Sequence, residues 1–222
     1  MNTATVGRVP EPVKVRRYDS TRRRARAQVT RADVLAAARE LFTDLGFAAT
    51  TVADIARRAG VSVDTVYAGV GRKPDLLIAV IDVELAGGGE PVPARERGYV
   101  RAIREAATAE AKIRVYADAL AALMPRVAPL FQALDQAAAG DADCAEVRDR
   151  IDARRAANMA EFVADLRATG SLRAALAEED AVTLVWSTNS WQYFLLLRSR
   201  GVTPAHYADL LTELWNRTLL EP

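Results

Sequence analysis

The stretch TVADIARRAGVSVDTVYAGVGRKPDLL, Thr51 to Leu77, decides the fold. Thr51 is followed three positions later by Asp54, the spacing of a capping box in which side chains and first-turn amides satisfy one another. Val52, Ile55, Ala56 and Ala59 then form one apolar stripe at helical spacing. Gly60 ends that helix, because it adopts the left-handed conformation common at helix C-termini. Ser62 caps a second short helix from Val63 to about Val70, with Val63, Val66 and Val70 on its inward face, and Gly71 stops it. Two short helices joined by a Gly-containing turn make a helix-turn-helix, whose second helix enters the DNA major groove.

The residues Thr51, Val52, Ile55, Ala56, Ala59, Gly60, Val61 and Ser62, then Thr65 and Tyr67, then Lys73, Leu76 and Leu77 carry a family resemblance. From about Thr30 to Val80 the chain resembles the DNA-binding domain of the TetR (tetracycline repressor) family of bacterial transcriptional regulators. Beyond Val80 it resembles that family in length and helical layout. The family usually has aromatic or His residues after the Tyr, whereas this chain has Ala68, Gly69 and Val70. The resemblance implies an all-α protein with a helix-turn-helix domain over residues 30–74 and a helical ligand-binding and dimerisation domain over 75–222. It further implies a homodimeric regulator, a repressor, whose partners are a double-stranded DNA operator and a small-molecule ligand.

The net charge of +1 is unevenly distributed. Residues 1–29 hold eight Arg and Lys against Glu11 and Asp19, which leaves 22 basic against 27 acidic residues in the remainder. With Pro10, Pro12 and no apolar periodicity, residues 1–29 read as a disordered basic arm. The run Arg22, Arg23, Arg24, Ala25, Arg26 stands directly before the first helix, placed to fold onto a phosphate backbone or to insert Arg into a minor groove. That helix is expected from Thr30, with Asp33 closing a second capping box, to about Leu45. Leu35, Ala38, Leu41, Phe42 and Leu45 face the core and Gly46 ends it.

Between Thr30 and Ile78 six basic residues balance six acidic ones, so attraction to DNA falls to the arm and a few placed contacts. The recognition helix, Ser62 to Val70, has no Arg or Lys, and guanine read by bidentate Arg is therefore unavailable from it. Asp64, Thr65 and Ala68 are the candidates for base edges, with Val63 for a thymine methyl. Asp64 either accepts from a cytosine amine or is a first-turn acid favoured by the helix dipole. Tyr67 either donates to a phosphate or packs in the small core. The capping residues Thr51 and Ser62 complete this face, and the family resemblance makes Lys73 a phosphate contact.

From Pro74 onward the chain reads as almost continuous helix. The expected segments are Asp75 to about Ala86, then Ala94–Ala107, Thr108–Met124, Arg126–Ala139, Asp143–Ala168, Glu178–Ser199 and Pro204–Leu220. Gly87 to Gly89 with Pro91 and Pro93, then Pro125, Gly140, Gly170 and Gly201, fall at the joints. The segment AVTLVWSTNSWQYFLLL, Ala181 to Leu197, is apolar on nearly every side, and such a helix is buried all round, which calls for a second subunit. With the last helix it is expected to form a four-helix dimer interface, as in the family, through Trp191, Phe194, Leu195, Tyr207, Leu211, Leu214 and Trp215. A two-fold dimer sets two recognition helices about 34–36 Å apart, hence a near-palindromic operator.

In Asp143–Ala168 the apolar stripe of Cys144, Val147, Ile151, Met159, Phe162 and Leu166 contains Arg155 and Asn158. An unpaired buried charge is costly, so Arg155 has two readings. It pairs with a carboxylate, or it joins Asn158, Met159, Phe162, Tyr116, Met124, Phe131, Trp186 and Asn189 in an apolar ligand pocket with polar anchors.

No run of about 18 apolar residues offers a bilayer span, and no apolar signal region opens the chain. Cys144 is the only Cys, and the expected compartment is the bacterial cytoplasm. His206 is the only His, and Gly87 to Gly89 lack the strand and Lys of a phosphate loop. No catalytic residue, metal or cofactor is expected. The Arg-free recognition helix keeps one competing reading, a binding module of this fold that has lost DNA binding.

Overall fold

Thr51 and Asp54 close the reciprocal cap that their spacing predicts. The Thr51 hydroxyl accepts from the Asp54 amide at 3.1 Å, and the Asp54 carboxylate accepts from the Thr51 amide at 3.2 Å. The hydrogen bond from the Thr51 hydroxyl, followed by that from Arg57, holds the Asp54 carboxyl below the usual range. In the computed structural model, which describes residues 20–88 and 93–221 and leaves the side chains of 20–23 and 94 outside, this cap opens α3 (Val52–Ala59). Gly60 ends α3 at φ 67°, and Ser62 caps α4 (Val63–Gly69), accepting from the Thr65 amide at 3.2 Å. Before them run α1 (Ser20–Asp44) and the one-turn α2 (Gly46–Ala49); after them comes α5 (Lys73–Leu85) with Pro74 in its first turn. A single 3-10 turn (Ala94–Glu96) leads to α6 (Gly98–Glu105), α7 (Ala109–Ala138), α8 (Ala142–Arg167), α9 (Glu178–Thr188), α10 (Trp191–Ser199) and α11 (Pro204–Leu219). The fold of the described residues is all-α, with one isolated bridge between Leu172 and Leu220.

Two apolar cores organise these helices. One gathers Val34, Ala38 and Phe42 of α1, Ile55 of α3, Val66 of α4 and Leu76, Leu77, Val80 and Ile81 of α5. It does not stop at residue 74. Leu130, Ala133 and Leu134 of α7 and Cys144, Val147 and Ile151 of α8 complete it. The second core lies between α6 and α11, around Tyr116, Phe162, Val163, Phe194, Tyr207, Leu211 and Trp215, and Leu85 and Phe131 touch both.

Several expected boundaries shift. Helix α1 begins at Ser20, so the arm expected to be disordered through residue 29 is helical over its last ten residues. Arg, Ala and Gln are good helix formers, and no Gly or Pro interrupts them. Thr30 lies inside this helix and caps nothing. The rest of the arm, residues 1–19, and the breakers Gly89 and Pro91 lie outside the described residues. Pro125, expected at a joint, sits inside α7 together with Pro129. Each costs a backbone hydrogen bond, but α7 buries apolar residues in both cores along its length, and that packing holds it as one helix. The expected helix Glu178–Ser199 breaks instead at Asn189 and Ser190, where Ser190 accepts from the Tyr193 amide and caps a new helix. Leu45 and Val63, expected to face the core, are 54% and 37% exposed.

Gly71 joins α4 to α5 at φ 128°, a backbone conformation that side-chain-bearing residues rarely adopt. A Cβ there would lie 2.5 Å from an Asp75 carboxylate oxygen, and that carboxylate caps α5 by accepting from the Arg72 amide at 2.8 Å. Gly71→Ala is therefore expected to lower unfolding stability by about 2 kcal/mol. Denaturant titration checks this, and a loss below about 0.5 kcal/mol would contradict the strain assigned to the turn.

Candidate functional site

Helix α4 presents almost its whole outer surface to solvent. Val66 alone is buried, while Val63, Asp64, Thr65, Tyr67 and Ala68 are exposed. Tyr67 is half exposed, which removes the reading that packed it in the core and leaves its hydroxyl free to reach a backbone phosphate. The caps Thr51 and Ser62 stand on the same side in sequence. Their hydroxyls are engaged locally, Thr51 with Asp54 at 2.6 Å and Ser62 with Thr65 at 2.8 Å. Arg24 and Arg26 are exposed on the N-terminal turns of α1, and the side chains of Arg22 and Arg23 lie outside the described atoms.

Two cations tie the helix-turn-helix together, Arg31 at the end of α4 and Lys73 at the end of α2. Arg31 of α1 donates to the Gly69 carbonyl at 2.7 Å, satisfying the last turn of α4. Lys73 donates to the carbonyls of Phe47 and Thr50 at 3.0 Å each and stands 4.1 Å from the centre of the Phe47 ring. The ammonium that the family resemblance makes a phosphate contact is thus engaged inside the domain. The Lys73 ammonium closes the C-terminal end of α2, where the helix dipole favours a cation. The local motif around Lys73 carries no sign of partners 26 and 23 residues away.

A cavity of about 630 Å³ opens between α6, α7 and α8. It gathers Tyr116, Asn158, Met159 and Phe162 from the expected pocket and adds Arg95, Tyr99, Arg104, Glu161 and Asp165. Met124, Phe131, Arg155, Trp186 and Asn189 do not line it. Met124 is core, Phe131 fills the seam between the cores, and Trp186 points outward at 37% exposed. Arg155 takes the carboxylate reading, with Asp152 at 3.1 Å, and also donates to the Asn189 side-chain oxygen at 2.8 Å and the Trp186 carbonyl at 3.2 Å. Asn189 in turn donates to the Tyr116 hydroxyl at 2.7 Å, so a buried polar chain runs from α8 to the cavity wall. Burial pushes the Tyr116 phenol far above its ordinary range, against the Asn189 hydrogen bond, and it stays neutral.

The expected dimer residues divide. Phe194, Tyr207, Leu211 and Trp215 are 2% exposed or less and belong to the chain's own core; the Trp215 indole donates to the Thr188 hydroxyl at 2.8 Å. Trp191, Leu195 and Leu214 are half-buried. The apolar side chains left open to solvent in this region are Leu184 and Trp186 of α9 and Leu196 of α10. Cys144 is fully buried, and burial together with Asp141 pushes its thiol up to about 11, so it is no nucleophile at neutral pH.

Residues 34–80 match the family model described as bacterial regulatory proteins, tetR family. No curated protein matches the chain. Among solved structures, the SmeT–triclosan complex superposes with a TM-score of 0.68 at 18% identity, covering 87% of this chain and 93% of that one. NalD of Pseudomonas aeruginosa, the secondary repressor of the MexAB-OprM multidrug efflux pump, gives 0.66 at 20%, covering 88% and 98%. A protein of Saccharomonospora viridis described as a transcriptional regulator, in complex with choline, gives 0.67 at 16%, covering 88% and 100%. At these identities the likeness is one of fold.

Lys73→Met is expected to destabilise the chain by roughly 1–3 kcal/mol, the cost of leaving two carbonyls without their donor. It should leave the salt dependence of duplex binding unchanged. A slope that falls by about one in the variant would restore Lys73 as a phosphate contact.

Proposed function

We propose, for a chain that carries the N-terminal domain of the tetR family of bacterial regulatory proteins, the function of a homodimeric transcriptional repressor. It binds a near-palindromic duplex operator and leaves it when a small, largely apolar ligand occupies the helical domain. One observation carries this reading. Helix α4 is anchored by Val66, Arg31 and its Ser62 cap while its outer residues stand free of the rest of the chain.

The chemistry of that face assigns the roles. Thr65 and Ala68 suit a thymine methyl or a shared hydrogen bond, Asp64 a cytosine amine, and Tyr67 a phosphate. None of these supplies positive charge, so the electrostatic share of affinity falls to Arg24, Arg26 and their neighbours on α1. The exposed apolar side chains Leu184, Trp186 and Leu196 support a second copy covering α9 and α10. Ligand entry into the α6–α7–α8 cavity would act through α5, which shares one core with α4. The ligand shifts the equilibrium only by its difference in affinity between the DNA-fitting state and the splayed one.

Selection from random duplexes tests the reading. The enriched sequences should be near-palindromic, and binding should weaken steeply with salt. Replacing Arg24 and Arg26 by Gln should reduce the slope of log K against log salt by about two for each bound copy of the chain, about four for the dimer. No enrichment, or binding indifferent to salt, would contradict the regulator and favour a binding module without DNA.

A further inference from the structure

We propose that the ligand of the α6–α7–α8 cavity is an uncharged, drug-sized molecule with a flat aromatic body and one hydrogen-bonding group held by Asn158. The proposal rests on the regulator reading only for its effect at DNA. The inner wall of the cavity is aromatic. The rings of Tyr99 and Tyr116 lie 9° from parallel with centroids 6.3 Å apart, and Phe162 meets Tyr116 edge-on at 4.8 Å. Rings of this kind favour stacked or edge-on contact with another ring. A cavity of about 630 Å³ is of the size that small-molecule sites occupy.

The charges around the cavity select against an ionic guest. Four ionic side chains line it, two of each sign, so they add no net charge. Each also has a partner: Arg104 with Glu161 at 3.2 Å, Arg95 with Glu96 at 3.8 Å, and Asp165 with Lys112 at 3.0 Å. The last pair is the restrictive one. Lys112 is 5% exposed, and its ammonium also donates to the carbonyls of Ile103 and Arg104 at 2.9 and 3.0 Å, tying down the end of α6. A cationic ligand drawn to Asp165 would leave that buried ammonium without its counter-ion, a costly exchange. An anionic ligand would meet Glu161 and Asp165 at the same rim. An uncharged ligand disturbs neither arrangement.

Beside the Tyr99 hydroxyl, the remaining polar group is the amide of Asn158. It is half-buried on the cavity wall and makes no hydrogen bond among the described residues, so both its donor and its acceptor face the guest. The Tyr116 hydroxyl, by contrast, already accepts from Asn189.

A matched series of probes provides the test: para-phenylphenol, para-phenylbenzoate and para-phenylbenzyl trimethylammonium share a biphenyl body and differ in charge. Binding to the full chain is read by thermal shift and by tryptophan fluorescence, since Trp215 lies 5.6 Å from Tyr116 and 6.0 Å from Phe162. The uncharged probe should bind about tenfold or more tightly than either ion, and Asn158→Leu should weaken it about five- to tenfold with the unliganded chain's thermal midpoint unchanged. Asn158→Asp should move the preference toward the cation. Tighter binding of an ion to the wild-type chain, binding indifferent to Asn158→Leu, or no binding by any of the three would overturn the proposal. Release of a selected duplex is scored separately. A neutral probe that binds through Asn158 and leaves the duplex bound contradicts the release mechanism and not the ligand class.

Discussion

The burial of α5, beside the direct packing of α7 on α1 and α2, joins the helix-turn-helix to the helices that follow it. Leu76, Leu77, Val80 and Ile81 are each 2% exposed or less, and they pack in one core with Val66 of α4 on one side and with Leu130 and Leu134 of α7 on the other. Close-packed cores resist gradual deformation, so on the proposed mechanism a displacement of α7 or α8 would press on α5 and, through the shared core, on α4. Polar contacts mark the same junction. Glu84, 8% exposed near the end of α5, is held between Arg39 of α1 at 3.5 Å and Arg126 of α7 at 3.3 Å. Asp82 faces Arg154 of α8 at 3.7 Å, and Arg72 at the start of α5 reaches Asp143 at 2.8 Å. Along its length α5 is thus fastened to α1, α7 and α8. The ion pairs with more than about a third of each side chain exposed contribute little stability, and their value is register.

On the proposed reading, recognition of DNA divides its labour between α4 and α1. A helix without Arg or Lys can discriminate bases by methyl contacts and short hydrogen bonds, but it cannot supply the long-range attraction that counterion release provides. The extra turns of α1 place Arg24 and Arg26 on a helix continuous with Arg31, which itself grips the end of α4. The cations are therefore presented on a fixed axis, and less chain entropy is lost on binding than for an arm that must fold onto phosphate.

The helix-turn-helix was legible in the sequence because caps are local chemistry: Thr51, Asp54, Gly60 and Ser62 act on amides within four residues. What remained hidden depended on distant partners. Arg31 finds Gly69 38 residues on, and Lys73 finds carbonyls of α2, so neither role shows in a local motif. Pro125 reads as a joint by propensity, yet tertiary packing on both cores keeps α7 intact. Apolar periodicity found Phe194, Tyr207, Leu211 and Trp215 but could not say whether their neighbours were the protomer's own helices or a partner's. In the cavity, Tyr116, Asn158, Met159 and Phe162 were readable as one stripe and its facing ring. Lys112 and Asp165 were not, because their pairing is a relation between two helices.

The most direct measurement is the mass of the complex formed with a selected duplex, by native mass spectrometry or sedimentation at low ionic strength. Two copies of the chain on a duplex holding two half-sites, and loss of paired occupancy when Leu184 and Trp186 are replaced by Glu, is the expected result. A single copy per duplex at saturation, or paired occupancy untouched by those substitutions, would contradict paired reading heads joined through α9 and α10.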